Sequence, residues 1–552
     1  MSEQREYVVT LHDKNELDAF YDDMETEGGA LYIPDRVVNV AQRRAISRNT
    51  HYMLTDEEAQ TVKDDPRVLA VSLTPEELGM VVRPSYIQTD TNFDKSPVED
   101  VNDINWGLLR VYESQQRAGW GTDSTSDQSG TINIQTTGKN VDVVIVDGMI
   151  DPAHPEYAVN SDGTGGSRVV QYNWFQHNPE VTGGLAGNYV YTPYDNGATD
   201  LTDDNSHGSH VAGTTCGNRQ GWARRSNIYN INPYGTDVNG VSALNLFDYI
   251  RAWHAAKTIN PDTGRKNPTV TNNSWGYSFT IPVANITTVN FRGNAVGGPF
   301  NNATLRTDYG ILAFNSLGTD IAIIPARFAA LEADIQDAIL DGIIVVGAAG
   351  NDYAKMDTAG GIDFNNNIVA GGTYYFHEGS SPSSADDVIC VGSIGTVTQD
   401  YKSEFSNCGP RVDIFAPGSE IQSSVNTSTS YGGNPDPRDG TNTRYLAKIS
   451  GTSMASPQVC GVLACALEIY PWMTQAQARE YLFGRAKAAQ VGDTGGGFAD
   501  FTSLQGAANR YLAHYNERPE EGQLYPKKDF WLRDTAAYSK VWPRPRLRRY
   551  GT

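Results

Sequence analysis

The sequence predicts an α/β fold in which helices cover both faces of a mostly parallel sheet, preceded by a small α+β unit. Apolar runs of strand length, which are typical of strands buried on both faces, alternate along the chain with segments of helical periodicity. The predicted strands span residues 143–146, 227–231, 269–275, 343–347, 388–391 and 412–415. The predicted helices span residues 243–257, 326–340, 454–470 and 474–487.

The small unit is predicted for residues 1–78, which contain two strand–helix–strand cycles. Its strands are predicted at 7–11, 51–54 and 68–73. Each helix is preceded by a pair with capping-box spacing, Asp13 with Glu16 and Thr55 with Glu58. This order predicts a ferredoxin-like α+β sandwich.

Four regions follow from changes in composition. Residues 79–104 are predicted to be a linker and residues 105–515 the main domain, with a long insertion at 277–325 rich in Asn, Gly and Thr. Residues 516–552 form a basic tail. The tail is predicted either to lie on the protein's own acidic surface or to dock to a protein partner.

The formal net charge of −22 argues against a nucleic-acid or anionic-membrane surface on the main body. No run approaches the roughly 18 apolar residues of a membrane span. The five cysteines show neither metal-ligand spacing nor a disulfide framework, which favours reduced thiols. With no recognisable secretion signal at the N-terminus, we expect synthesis in the cytoplasm.

Three polar residues lie at strand ends or helix starts, the positions at which α/β folds usually place functional side chains. Asp147 ends an apolar strand, and such a carboxylate lies at the ligand-binding edge of the sheet or serves as a turn former. His207 precedes a helix of small residues, and with His210 its spacing also allows a metal ligand or a structural histidine. Ser453 stands at a helix start, where serine is often only a cap.

The three segments taken together indicate a catalytic site far more specifically than any of these residues does alone. The sequences VVIVDGMID, NSHGSHVAGT and SGTSMASPQV resemble the three active-site segments of the subtilisin-like serine proteases, or subtilases, and occur in the Asp, His, Ser order of subtilisin. The resemblance implies a subtilisin-like fold and a serine endopeptidase that acts on polypeptides through an acyl-enzyme. Asp147, His207 and Ser453 would be its catalytic triad.

The resemblance also implies an oxyanion hole and a substrate cleft. Asn351 and the Ser453 backbone N–H would bind the oxyanion, with Thr452 in support. Two segments would wall the cleft. Their residues are Ser274, Trp275 and Gly276 on one side and Ala348, Ala349 and Gly350 on the other.

Two departures from the family pattern concern the aspartate and calcium. Gly148 and Met149 replace the usual hydroxyl residue and glycine after Asp147, so its carboxylate is expected to rely on other donors. The shortened loop after Thr214, as in proteinase K-like relatives, implies that a common calcium loop is absent. Glu156 alone does not make a calcium site, so we predict no metal ligands, no catalytic cofactor and no supported structural calcium.

By the same resemblance, residues 1–78 correspond to an inhibitory propeptide that assists folding and blocks the cleft. The protein would be a zymogen processed between residues 79 and 104. The alternatives are a permanently attached regulatory unit, and a protease-fold scaffold or anchored component of a larger assembly such as a virus particle. A hydrolase using paired carboxylates is a further class, but solvation explains most of the acidic residues.

Overall fold

The structure, a computed structural model, describes most of the predicted main domain and the small unit before it. The described residues are 4–33, 40–44, 46–75, 77–84, 105–112, 134, 136–183, 190–194, 205–235, 239–395, 400–426 and 431–515. The basic tail at 516–552 and most of the linker at 79–104 lie outside them. The predictions for those two regions therefore stay predictions.

Residues 5–73 build a four-stranded antiparallel sheet with two helices. The order along the chain is β1 (Arg5–Leu11), α1 (Leu17–Glu25), β2 (Val40–Arg43), β3 (Asn49–Leu54), α2 (Asp56–Lys63) and β4 (Val68–Leu73). The strands lie in the order β2-β3-β1-β4, which with its β-α-β-β-α-β connections is the ferredoxin-like pattern. Phe20, Tyr52 and Val9 lie in an apolar core that belongs to this unit.

One of the two predicted capping boxes forms. Thr55 Oγ1 accepts from the Glu58 N–H at 3.3 Å, and the Thr55 N–H donates to Glu58 Oε2 at 2.8 Å. The prediction at Asp13 was wrong, because Asp13 Oδ1 instead accepts from the Asn15 N–H at 2.9 Å and begins a short 3₁₀ turn before α1. Strand β2 was missed.

The remaining elements place strands and helices in alternation. The strands are β5 (Val81–Pro84), β6 (Asp142–Val146), β7 (Val169–Val170), β8 (Asn227–Ile231), β9 (Thr269–Asn273), β10 (Trp275–Pro282), β11 (Thr288–Phe291), β12 (Asn294–Gly297), β13 (Leu312–Ser316), β14 (Thr319–Ala326), β15 (Ile344–Ala348), β16 (Asn367–Val369), β17 (Thr373–Tyr375), β18 (Ile389–Ile394), β19 (Ile414–Pro417), β20 (Ile421–Val425), β21 (Asn434–Pro435), β22 (Tyr445–Ile449), β23 (Lys487–Ala488) and β24 (Arg510–Tyr511). The helices are α3 (Trp106–Val111), α4 (Asn178–Thr182), α5 (Asn205–Cys216), α6 (Leu246–Ala256), α7 (Asn302–Tyr309), α8 (Ala329–Leu340), α9 (Thr452–Ile469) and α10 (Gln475–Arg485). Within the described residues, no helix is both long enough and apolar enough to cross a membrane.

A nine-stranded sheet forms the centre of the described main domain. Its order is β23-β24-β19-β18-β15-β9-β6-β8-β7, and each neighbouring pair is parallel except β23 with β24. Val143 and Ile145 of β6 belong to an apolar cluster that includes side chains of α5 and α9. Val144 and Val146 belong to a second cluster with α6 and α8. Both faces of the sheet are therefore buried, which confirms the predicted α/β class.

The segment at 269–275 was predicted as one strand, and this prediction was wrong. Strand β9 ends at Asn273, and Trp275 begins β10, which belongs to a separate antiparallel sheet. Ser274 turns between the two because its main-chain oxygen and its hydroxyl both bond to Ser453, at 3.2 and 3.1 Å. Periodicity gave no sign of the break, because the residues on both sides of it are buried.

A fully buried arginine joins the small unit to the main domain. The Arg44 guanidinium donates to Asp248 of α6 at 2.8 Å and to Asp334 of α8 at 2.6 Å. Burial alone would lower the pKa of Arg44, but the two carboxylates raise it above its ordinary value. Asp334 also accepts hydrogen bonds from Ser47 and Asn49. The interface therefore contains a buried charge cluster whose members come from both surfaces.

Replacing Arg44 by Ala should destabilise the protein by about 3–5 kcal/mol, because the buried Asp334 loses its ion pair and Asp248 keeps only the longer contact with Arg251 at 3.5 Å. Denaturant unfolding of both variants measures this. Arg43→Ala is the matched control: its partner Glu25 lies within the small unit and its side chain is 44% exposed, so we expect a change of at most about 1 kcal/mol. Equal stabilities for the two variants would contradict the role of Arg44.

Candidate active site

Asp147 and His207 meet at the carboxyl edge of the central sheet. Asp147 directly follows β6, and its Oδ1 lies 2.8 Å from Nδ1 of His207, which stands in the first turn of α5. Both side chains are at most 1% exposed. Since an ionised carboxylate only accepts hydrogen bonds, Nδ1 carries the proton, which leaves Nε2 as the ring nitrogen for proton transfer.

Gly208 allows helix α5, which carries His207, to pack closely against the backbone that follows Asp147. A Cβ atom built at Gly208 would lie 2.1 Å from the main-chain oxygen of Gly148. Any side chain at this position would push α5 away from the backbone that follows Asp147. The glycine after His207 is therefore required by the packing that joins the two residues.

Other donors replace the hydroxyl that the family pattern places after the aspartate. The Gly148 N–H donates to Asp147 Oδ1 at 2.8 Å, while Oδ2 has no hydrogen-bond partner among the residues described. Asn230 holds the main chain instead, since its Nδ2 donates to the oxygens of Asp147 and Gly148 at 3.0 Å each. The carboxylate is thus oriented through one oxygen and a fixed backbone.

Ser453 is the second residue of α9, a helix whose N-cap is Gly451. Its Oγ donates to the oxygen of Ser274 at 3.2 Å, and the Ser274 hydroxyl donates to the oxygen of Ser453 at 3.1 Å. Helices α5 and α9 pack against each other, and Ser453 is fully buried. A serine at this helix start lies where the peptide dipoles favour developing negative charge.

The side-chain amide of Asn351 is held in one orientation by Thr452. Both the N–H and the hydroxyl of Thr452 donate to Asn351 Oδ1 at 2.9 Å. Asn351 Nδ2 is buried and has no partner among the described residues. Because a buried donor without an acceptor is costly, this amide is suited to receive an oxygen that gains negative charge during a reaction.

Asn407, which the sequence analysis missed, fixes the loop that carries Asn351. Its Oδ1 accepts from the N–H groups of Asp352 and Ala354, and its Nδ2 donates to the oxygen of Ala349, each at 2.9 Å. Gly350 has φ +104°, and a Cβ there would lie 2.5 Å from Asn407 Nδ2. Asn407 lies 56 positions from Asn351 with no periodic relation to it, so no local pattern indicated this contact.

The predicted substrate-binding residues lie where two neighbouring parallel strands, β9 and β15, end. Ser274 follows β9, Trp275 and Gly276 begin β10, and Ala348, Ala349 and Gly350 end or follow β15. The far edge of β10 is not open, because β5 pairs with it in antiparallel register, Pro84 opposite Trp275 and Arg83 opposite Gly276. An extended segment of the chain therefore lies along this strand already.

The two positions considered for metal ligands have other contacts. His210 is fully buried, and its Nε2 bonds to the oxygens of Ile421 and Ala447 at 2.9 and 3.1 Å. Burial lowers the pKa of His210 to about 3. Within the described part of the chain, no group of three or more His, Cys, Asp or Glu residues is placed to hold a metal ion.

Glu156 is buried, and protein groups compensate its charge. The N–H groups of Arg219 and Gln220 donate to Glu156 Oε2 at 3.0 Å each, and the Arg438 guanidinium contacts Oε1. Arg438 also pairs with Asp436 at 2.7 Å. A guanidinium thus stands where a cation would be required.

Comparison with known proteins gives consistent results along most of the chain. The profile of the subtilase family matches residues 138–507. The alkaline serine exoprotease A of Vibrio alginolyticus is 27% identical over 450 residues, which cover 80% of this chain and 56% of that protein. The subtilisin of Bacillus pumilus is 26% identical over 347 residues, 63% of this chain and 83% of the relative. A cold-adapted subtilisin-like serine proteinase of known structure covers 75% of this chain and 100% of its own, with 22% identity and a TM-score of 0.43.

Asn351→Ala should lower kcat for peptide hydrolysis by about 10²–10³, the loss known for one oxyanion-hole donor in subtilisin, with little change in KM. The amide would contact the oxygen only once negative charge has developed. Steady-state kinetics on a chromogenic peptide measures this. Asn294→Ala, at an exposed asparagine of β12, should leave both constants unchanged, and a rise in KM alone for Asn351→Ala would contradict the assignment.

Proposed function

We propose, since this chain belongs to the subtilase family, that it is a serine endopeptidase made as a zymogen. The contact between Asp147 and His207 at the sheet edge carries the proposal, because it orients the imidazole and fixes its tautomer. The buried donor of Asn351 supplies the other requirement of acyl transfer. The substrates would be polypeptides.

The proposed steps are those of acyl transfer through a serine nucleophile. His207 Nε2 takes the proton of Ser453 as Oγ bonds to the scissile carbonyl carbon, and Asp147 stabilises the resulting imidazolium. Asn351 Nδ2 and the Ser453 N–H donate to the oxyanion. The C–N bond then breaks as His207 returns the proton to the leaving amine, and a water molecule, activated by the same imidazole, releases the acyl group.

We assign an inhibitory role to the N-terminal unit. Strand β5, which follows this unit in the chain, pairs with β10 through main-chain hydrogen bonds, the mode by which an extended peptide of almost any sequence adds to a sheet edge. Strand β5 itself lies within the proposed processing region at 79–104. Asp147, His207 and Ser453 are all buried.

The buried Arg44 cluster favours an N-terminal unit that stays bound after cleavage. Separation of the two parts would expose Asp248 and Asp334, which Arg44 neutralises in the intact chain. A permanently attached unit is therefore the second candidate role. The two roles differ in whether a peptide bond between residues 79 and 104 is cut.

Intact-mass measurement of the purified protein beside its Ser453→Ala variant tests the proposed function. The unsubstituted chain should lose its 60.2 kDa mass and give a fragment ending between residues 79 and 104. The variant should stay whole, because it lacks the nucleophile.

A fluorophosphonate probe adds a second readout. It should label the unsubstituted protein and Ser456→Ala, a control that replaces the next serine of the same helix. Ser453→Ala should not be labelled. If the unsubstituted protein is neither cleaved nor labelled, the proposal is refuted. Labelling without cleavage would favour the permanently attached unit.

We further infer that Glu156 needs no calcium, because Arg438 already neutralises it. Removing calcium with a chelator should leave the melting temperature unchanged. Arg438→Ala, in contrast, should lower stability by about 3–5 kcal/mol, since Glu156 and Asp436 lose their shared partner. A chelator-sensitive melting temperature that becomes insensitive in Glu156→Gln would contradict this inference.

A further inference from the structure

The insertion at 277–325 is an ordered part of the protein with an apolar core of its own. It contains β11 to β13, α7 and most of β10 and β14. Val289, Leu305 and Ile324 of the insertion are buried together with Ile368 and Phe376 from later in the chain. A packed unit of this kind can fix the position of a neighbouring loop, which an unstructured rim could not do.

Arg306 of α7 contacts the segment that follows the oxyanion donor. Its Cζ lies 3.8 Å from the ring centre of Tyr353 and 4.4 Å from that of Phe501. Tyr353 stands two residues after Asn351 and has φ +57°, a left-handed conformation that is uncommon for this residue type. The guanidinium thus stacks on two aromatic rings, one of which belongs to the Asn351 loop.

A second arginine of the insertion reaches the same segment through a buried carboxylate. Arg292 donates to both oxygens of Asp363, at 2.6 and 2.8 Å, and Lys355 donates to Asp363 at 2.7 Å. Burial opposes the ionised form, but Arg292 and Lys355 hold the pKa of Asp363 well below its usual range. Lys355 follows Asn351 by four residues, so this ion pair ends on the same loop.

Asn407 and the insertion contact different residues of the loop that carries Asn351. Asn407 bonds the main chain of residues 349, 350, 352 and 354. The insertion holds Tyr353 directly and Lys355 through Asp363. The position of Asn351 therefore depends on both.

We propose that Arg306 is a positioning residue for Asn351, so that the insertion sets the geometry of the oxyanion hole. The proposal rests on the proposed peptidase function. Arg306 touches neither substrate nor any reacting atom in this role. Its effect passes through the loop, and misplacement of a catalytic group by 1 Å costs about 10²-fold in rate.

The test compares Arg306→Ala with Thr307→Ala, an exposed neighbour on the same helix. Arg306→Ala should lower kcat by about tenfold or more with KM unchanged, within the ~10²-fold that misplacement costs. Thr307→Ala should match the unsubstituted protein. Arg306→Lys should restore part of the rate, because its ammonium keeps the charge but lacks the planar stacking surface.

A double substitution distinguishes positioning from general destabilisation. If Arg306 acts through Asn351, then adding Arg306→Ala to Asn351→Ala should cause no further loss of kcat, because the donor it positions is already missing. The same loss of kcat in both backgrounds, or a change confined to KM, would overturn the proposal.

The experiment distinguishes a failure of the positioning role from a failure of the proposed peptidase function. Should Arg306→Ala fail to fold, Arg292→Ala is measured in the same two backgrounds, and the same criteria apply. An unsubstituted protein that neither turns over peptide nor reacts with fluorophosphonate would refute the proposed peptidase itself. A normal rate for Arg306→Ala in an active protein would refute only the positioning role.

Discussion

The parallel direction of β6, β9 and β15 is the constraint on which the active site depends. These three adjacent strands end at one edge of the sheet, so Asp147, Ser274 and the Asn351 loop emerge side by side. Helices α5 and α9 then bring His207 and Ser453 to that edge. Both helices lie on one face, where α5 approaches the backbone as closely as Gly208 allows.

Hydrogen bonds that involve the main chain hold most side chains of the candidate site in place. Asn230 binds the turn after Asp147, Thr452 binds Asn351 with its N–H as well as its hydroxyl, and Ser274 exchanges two bonds with Ser453. Such bonds are short and directional, and in a buried site their loss leaves polar groups unsatisfied. The geometry of the candidate site is therefore fixed by the fold itself.

Two parts of the chain outside the central sheet pair with strand β10, next to the candidate site. One is the N-terminal part of the chain and the other is the insertion at 277–325. The small unit adds β5 to the edge of β10 and is fastened by Arg44, while the insertion extends the same sheet through β14. Strand β10 is thus paired on both edges in this structure. Of the two strands that pair with β10, β14 is part of the packed insertion, whereas β5 is joined to β10 by strand pairing.

The sequence by itself determined the α/β class, six of the nine strands of the central sheet, the longer helices that flank it, and the pair Asp147 and His207 that meets at the sheet edge. These features are local, since periodicity and short motifs record which face of an element is buried. Tertiary structure alone decided the break at Ser274, the place of Arg44 in a buried cluster and the contacts of Asn407 and Arg306 with the Asn351 loop. These contacts join residues far apart in the chain. Arginine is also normally exposed, so its burial becomes evident only when its carboxylate partners are seen around it.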